Sequence, residues 1–176
     1  MMNSLPSDGN YSDEKIDGYT TYGVLQRTVN HAEGKCKLCE ILDNSEENET
    51  FITQLEYGSL FLHWNQCYTG RCLYISNAHI ENYPNIDYEL FVNLNREMLL
   101  ICKVIERTFQ PDLMNYASLG NVIRHFHYHI IPRYESDPNW GRPPWPSVEK
   151  ELSKKDYKEL IDLIRISLEE CGRLEI

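Results

Sequence analysis

No stretch of this chain constrains its fold more tightly than His125-Phe126-His127-Tyr128-His129-Ile130-Ile131. Successive side chains of a strand point to opposite faces. An extended reading therefore places His125, His127 and His129 on one face and Phe126, Tyr128 and Ile130 on the other. The apolar face is built to pack on a core, which leaves three imidazoles side by side on the opposite face. Three such rings about 7 Å apart gain nothing from one another structurally, and repel when protonated. A row of imidazoles in this setting points to metal binding, phosphate chemistry or both.

The surrounding pattern supplies the remaining elements. Phe51 to Leu55, Ser59 to Trp64 and Arg71 to Ser76 are β-rich runs, and Gly58 and Gly70 are the expected turns before the second and third. Two more strands are expected at Leu113 to Ser118 and Ile123 to Pro132, joined across Gly120-Asn121. Between the two groups, Leu90, Phe91, Leu94, Met98, Ile101, Ile105 and Phe109 recur at helical steps. The spacing predicts a helix over roughly Asp87 to Phe109, stopped by Pro111. A last helix is expected from about Ser153 to Cys171, with Ser153 as its N-cap. The sum is an α+β domain, an antiparallel sheet of about five strands packed against one long helix, plus a C-terminal helix.

Residues 1–22 show no period and read as a flexible arm, and residues 23–176 as a single domain whose motif core spans 36–145. The acidic stretch Asn44 to Thr50 reads as a surface loop. Ser136 to Ser147 holds four prolines and two tryptophans, which excludes a helix and suits an ordered flap with aromatic anchors.

Charge narrows the partners. The chain has 17 basic and 27 acidic side chains, a net of −10, which argues against a nucleic-acid polymer. The first 60 residues carry 4 basic and 11 acidic groups, or −7 of that total. From Asp112 to Ser147, Arg124, Arg133 and Arg142 balance Asp112, Glu135 and Asp137, so a small anion is not excluded from the histidine region. No apolar run approaches the ~18 residues of a membrane span. The N-terminus lacks the pattern of a signal peptide. The expected compartment is the cytoplasm, where six cysteines read as thiols or metal ligands.

The His-φ-His-φ-His-φ-φ run resembles the signature of the histidine triad (HIT) superfamily of nucleotide hydrolases and transferases. Gly70-Arg71-Cys72-Leu73-Tyr74-Ile75-Ser76-Asn77-Ala78-His79-Ile80 resembles the strand that leads into that family's long helix. Asn115 with Leu119-Gly120-Asn121 resembles its phosphate-side loop, and Pro132-Arg133-Tyr134 with Asp137-Pro138 resembles the segment after the triad in many bacterial members. The resemblance implies a nucleotide hydrolase. By this resemblance His127 would attack the α-phosphorus of a dinucleoside polyphosphate or nucleoside phosphoramidate to form a nucleotidyl-histidine, from which water would release the nucleotide. His129 would donate a hydrogen bond to the phosphate group and help protonate the leaving group. Backbone N–H groups of Gly120, Asn121 and Val122 would cradle phosphate oxygens, with the Asn115 amide assisting. Relatives often carry Gln at the position of Asn121 and Ser or Thr at that of Val122, so a hydroxyl contact is missing here. His63 and Asn65 are candidate ribose contacts. Homodimers are common among relatives, and a homodimer is expected.

Cys36-Lys37-Leu38-Cys39 has the spacing of a zinc half-site, a spacing that redox motifs share. By similarity to zinc-containing HIT relatives, Cys36, Cys39, His79 and His125 would form a closed structural site. A divalent cation accompanying the substrate is a further expected companion. Two other readings stay open: a nucleotidyl transferase or phosphorylase of the same superfamily, and a zinc-stabilised nucleotide-binding module without turnover.

Overall fold

In the computed structural model, residues 36–137, 139–145 and 148–174 are described. The arm expected over residues 1–22 lies outside them. Five strands, β1 (Phe51–Gln54), β2 (Gly58–Leu62), β3 (Cys72–Ser76), β4 (Leu113–Ala117) and β5 (His127–Arg133), form one antiparallel sheet in the order β1-β2-β3-β5-β4. Three helices accompany it: α1 (Lys37–Asp43), α2 (Tyr88–Phe109) and α3 (Lys154–Leu174). The expected fold class is the observed one. The acidic stretch after α1 is not wholly irregular, since Ser45–Glu47 forms a single 3-10 turn.

Sheet pairing sorts the side chains. Leu73 faces His129 and Ile75 faces His127 across β3 and β5, while Tyr74 faces Tyr128 on the alternate positions. Cys72, Tyr74 and Ile130 on one face join Leu60 and Leu62 in a core that α2 and α3 cover. Within it, α2 buries Leu94, Met98, Ile101, Val104 and Ile105, the stripe that its 3.6-residue period demands. Asp87 caps α2, accepting from the N–H groups of Glu89 and Leu90 at 2.9 and 3.3 Å. Ser153 caps α3 by accepting from Asp156 N–H at 3.2 Å, and Tyr157, Ile161 and Ile164 are buried against the same core. Arg165 ties α3 to the sheet edge by donating to the carbonyls of Ile52 and Phe51.

The opposite face carries the histidines. A smaller apolar cluster of Leu38, Phe61, Ile75 and Ile123 seats α1 against that face. Helices α2 and α3 thus stabilise the sheet from one side, while the short α1 shares the other with the histidines. Among the described residues, no helix is long and apolar enough to cross a membrane.

Two sequence expectations need correcting. Gly58 lies inside β2 rather than in the turn before it. A Cβ there would sit 2.2 Å from the Tyr74 ring, so the position excludes side chains because an aromatic ring packs over it. Gly70 does serve the bend before β3, with φ +83. The last strand starts at His127, not Ile123. His125 N–H bonds to the carbonyl of Ile123 at 3.0 Å, a tight turn that takes His125 out of the sheet ladder.

Candidate active site and metal centre

That turn lets His125 serve as a bridge between two groups. Its ring is buried and Nε2 lies 2.8 Å from the carbonyl oxygen of Ser76. With Nε2–H donating there, Nδ1 keeps its lone pair and faces the cysteines, 3.4 Å from Cys36 Sγ and 3.5 Å from Cys39 Sγ. His79 enters from beyond β3, with Nδ1 3.4 Å from Cys39 Sγ and Nε2 3.8 Å from the Glu81 carboxylate. The four ligand atoms of Cys36, Cys39, His79 and His125 all lie within 4.8 Å of one another. Two sulfurs and two imidazole nitrogens converging from α1, the β3–α2 connection and the approach to β5 can hold a metal ion. The outer nitrogen of His125 is already oriented by a carbonyl, and a carboxylate lies near that of His79. Burial, with help from Cys36, pushes the Cys39 thiol up to about 11. Metal binding would therefore displace its proton. An open cleft of about 840 Å³ beside these residues is also lined by Glu40, Asp43 and Glu47, an acidic wall that would repel an anionic ligand.

The carbonyl oxygen of His125 accepts from His127 Nδ1 at 2.6 Å. The proton of the neutral His127 ring is therefore on Nδ1, and Nε2 carries an available lone pair. Burial holds this imidazole below the ordinary histidine range, which keeps it neutral. His129 follows on the same face, its ring centroid 5.2 Å from that of His127. An Arg71 N–H lies 3.4 Å from His129 Nδ1, so the His129 ring carries its proton on Nε2. Burial, then the Arg71 charge and His127, depress His129 to about 2. The ring is a neutral hydrogen-bond donor. This bears on the expected proton transfer to the leaving group, because an imidazolium is strongly disfavoured beside a buried guanidinium.

His63 is buried with its ring 5.8 Å from that of His129. Its Nδ1 accepts from Asn65 N–H at 2.9 Å, and burial, then Arg71 and His129, hold it well below the usual range. It thus stands beside the triad. Asn65 does not: fully buried, it accepts from the N–H groups of Cys67 and Lys150 and donates to the Val148 carbonyl. Its amide knits the chain after β2 to the approach to α3, which corrects the expectation of a ribose contact.

Asn115 Oδ1 is engaged by Arg133 at 2.9 Å, so the assistance expected from it is limited to its amide nitrogen. Gly120 occupies the left-handed region at φ +62 in the loop entering β5. It lines a cavity of about 300 Å³ with Ser118, Arg124 and His125. Asn121 is exposed and Val122 packs against the Leu38 cluster.

The Pro/Trp segment is held by Arg133. The five N–H donors of this buried side chain meet Asp137 Oδ2, Asn115 Oδ1, the Arg142 and Asn139 carbonyls and Asn139 Oδ1 at 2.8 to 3.2 Å. The guanidinium also stacks 4.8 Å from the Tyr68 ring and 5.8 Å from that of Trp140. Arg133 is therefore a structural clamp rather than a phosphate contact. The segment it fixes carries Trp145 to the triad, edge-on to His129 with centroids 5.5 Å apart. Residues 138, 146 and 147 of the segment lie outside the described residues.

An antiparallel sheet with helices on one face and a strand of alternating histidines on the other defines the histidine-triad class of α+β proteins. The family model for the HIT domain matches residues 44–136, more than half of the chain, and the chain belongs to that family. A hypothetical histidine triad nucleotide-binding protein from Sulfolobus tokodaii superposes with a TM-score of 0.65 at 30% identity, covering 78% of this chain and 95% of its own. A Zn-bound histidine triad family protein from Mycobacterium smegmatis has the same fold, with a TM-score of 0.63 at 18% identity, covering 80% and 98%. The bis(5'-adenosyl)-triphosphatase of Dictyostelium discoideum is 25% identical over 115 residues, 62% of this chain and 76% of that protein.

Proposed function

We propose that this protein is a nucleotide hydrolase that cleaves at the α-phosphate of a nucleoside monophosphate derivative through a nucleotidyl-histidine. One observation carries the reading. The 2.6 Å bond from His127 Nδ1–H to the His125 carbonyl leaves Nε2 of a neutral, buried imidazole as the nucleophile. Attack forms a bond from Nε2 to the α-phosphorus as the bond to the leaving group breaks and its electron pair departs with that group. Water then attacks the same phosphorus, the nitrogen–phosphorus bond breaks, and the nucleoside monophosphate leaves. Splitting one displacement into two lowers each barrier. His129 Nε2–H would stabilise charge on the phosphate oxygens in both steps. Gly120, Asn121 and Val122, at the entrance to β5, would supply backbone donors.

In this reading Cys36, Cys39, His79 and His125 hold zinc, in keeping with their two-sulfur, two-nitrogen donor set and with the Zn-bound mycobacterial relative. Zinc with four protein ligands has no open position and supplies rigidity to the strand entrance rather than a reacting group. The exposed apolar residues Leu113 and Tyr116 lie on β4, an edge strand, and we expect a homodimer in the cytoplasm. The substrate is a small nucleotide, with the Dictyostelium relative's name favouring a dinucleoside polyphosphate.

The decisive experiment is an alkaline, denaturing quench of a single turnover with nucleotide labelled at the α-phosphate, because a nitrogen–phosphorus bond to histidine survives base and is hydrolysed by acid. Label should remain covalently on the wild-type chain and be absent from His127→Ala. Turnover without trapped label, or substantial turnover by His127→Ala, would overturn the nucleophile assignment. Adding inorganic phosphate distinguishes a phosphorylase, since only that activity yields a nucleoside diphosphate by transfer. Binding without turnover would identify a nucleotide-binding module.

A further inference from the structure

The chain buries two arginines, and they are treated in opposite ways. Arg133 and Arg71 are 2% and 4% exposed. Every donor of Arg133 is matched and its charge is paired with Asp137 at 2.8 Å. Arg71 forms no ion pair with any described carboxylate, and its Nε is buried without a hydrogen-bond partner. Among the described residues, the groups that favour its charge are Cys67 and Tyr68, neither of them ionised at neutral pH. An uncompensated buried charge is strongly unfavourable, so a fold that keeps one without a partner keeps it for a ligand.

The surroundings say which ligand. The backbone of Arg71 is locked, its N–H donating to the Tyr68 carbonyl and its own carbonyl accepting from His63 N–H and Gln66 Nε2. Its guanidinium is 3.4 Å from His129 Nδ1 and 5.7 Å from the Trp145 ring. His127, His129 and Arg71 therefore stand in series, with Trp145 against the last two. A second anionic group attached to an α-phosphorus at His127, and extending past His129, would approach the fork.

We propose that Arg71 is the subsite for a negatively charged group beyond the α-phosphate, so that the substrate is a phosphoric anhydride with a phosphate-bearing leaving group rather than an amine phosphoramidate. This inference rests on the nucleotide reading of the triad. Arg71 attracts the leaving phosphate, while burial, the largest cause of the depression of His129, keeps that ring a neutral donor with or without the guanidinium.

The test compares wild type with Arg71→Met, which removes the charge at similar length, and Arg71→Lys, which keeps it without the fork. Each is assayed on matched substrates, diadenosine triphosphate and an adenosine 5'-phosphoramidate of a neutral alkyl amine, and on the guanosine pair. Arg71→Met should lower kcat/KM for the anhydride about 100-fold, the scale of one lost charge-assisted contact, and for the phosphoramidate under about fivefold. Arg71→Lys should fall between. Equal losses on both substrates would mark a structural role and overturn the proposal, as would no loss. Calorimetric binding of ADP and AMP provides a second reading that needs neither turnover nor a stable variant. Wild type should bind ADP at least about tenfold tighter than AMP, and an ADP to AMP ratio near one would overturn Arg71's role while leaving the nucleotide site intact. Failure of wild type to bind either nucleotide would instead defeat the functional reading itself, and the Arg71 subsite with it.

Discussion

The carbonyl of His125 orients the ring of His127 at 2.6 Å while the ring of His125 faces the Cys36 and Cys39 thiols at 3.4 and 3.5 Å. One residue thus joins the candidate metal centre to the candidate nucleophile, by side chain on one side and main chain on the other. Whatever loosens the four-ligand group loosens the acceptor that fixes the His127 tautomer.

Removal of the metal should therefore cost both stability and turnover. Chelation, or Cys36→Ser, is expected to lower the melting temperature and reduce kcat by about 10- to 100-fold, the range for lost supporting shells of metal sites. Metal analysis after dialysis should give close to one zinc per wild-type chain. A dialysed wild type with full activity and less than about half an equivalent would refute the structural role.

The Arg133 clamp predicts a different phenotype. Asp137→Ala leaves a buried guanidinium without its carboxylate and should destabilise the chain by about 3 kcal/mol. Trp140 and Trp145 sit on the segment that Arg133 holds, so their fluorescence should shift to the red in folded protein, which urea melts can separate from global unfolding. Unchanged emission with unchanged stability would show that the segment is held otherwise.

Acid should destabilise the protein through its buried histidines. His129 is depressed to about 2 and His63 lies well below its usual value, whereas in the unfolded chain both titrate near 6.5. Between those limits the unfolded state binds more protons, so stability rises with pH up to about 6.5 and levels off above it. Arg71, His127 and His63 face His129 and all oppose its charging. Going from pH 6.5 to 5 should cost about 2 kcal/mol for each such histidine, read as a lower urea midpoint. His129→Asn should flatten the slope, and a slope unchanged in that variant would contradict the assignment.

Gly58→Ala offers a test of packing on the sheet face turned away from the histidines. The added methyl would meet the Tyr74 ring at 2.2 Å, while the hydroxyl of that ring donates to Glu97 and resists displacement. A loss of about 1 to 3 kcal/mol is expected, typical of overpacking. A neutral melt would mean the ring can move aside.

The alternation in residues 125–131 was enough to place Phe126 and Ile130 in the core and His127 and His129 opposite, because strand periodicity is local. Helix α2 was legible for the same reason. What was not legible depends on contacts distant in sequence. His125 leaves the ladder because the chain turns at Ile123 so that its ring can reach Ser76, some 50 residues earlier. Gly58 resembled a turn residue because nothing local announces the Tyr74 ring. Asn65 looked like a polar residue near a site and proved to be a buried connector. Arg71 was overlooked, since one arginine at the start of a strand ordinarily reads as a solvated end. The signal was that the residues after it, Cys72 to Ile75, are wholly apolar, so a charge entering that run is carried into the interior.

The strand order has a temporal consequence. The histidine strand β5 inserts between β3 and β4, and Ile75 meets His127 across some 50 residues of intervening chain that include all of α2. A growing polypeptide can form the β1-β2-β3 meander early, because those pairings are nearly adjacent. The central gap closes only when β5 has been synthesised, and closure over so long a loop is the slow kind of pairing. Until that moment β3 has a bare edge. The pairing that seats His127 and His129 against β3 is thus the last of the sheet to zip, so an incompletely made or partly folded chain lacks the assembled candidate site.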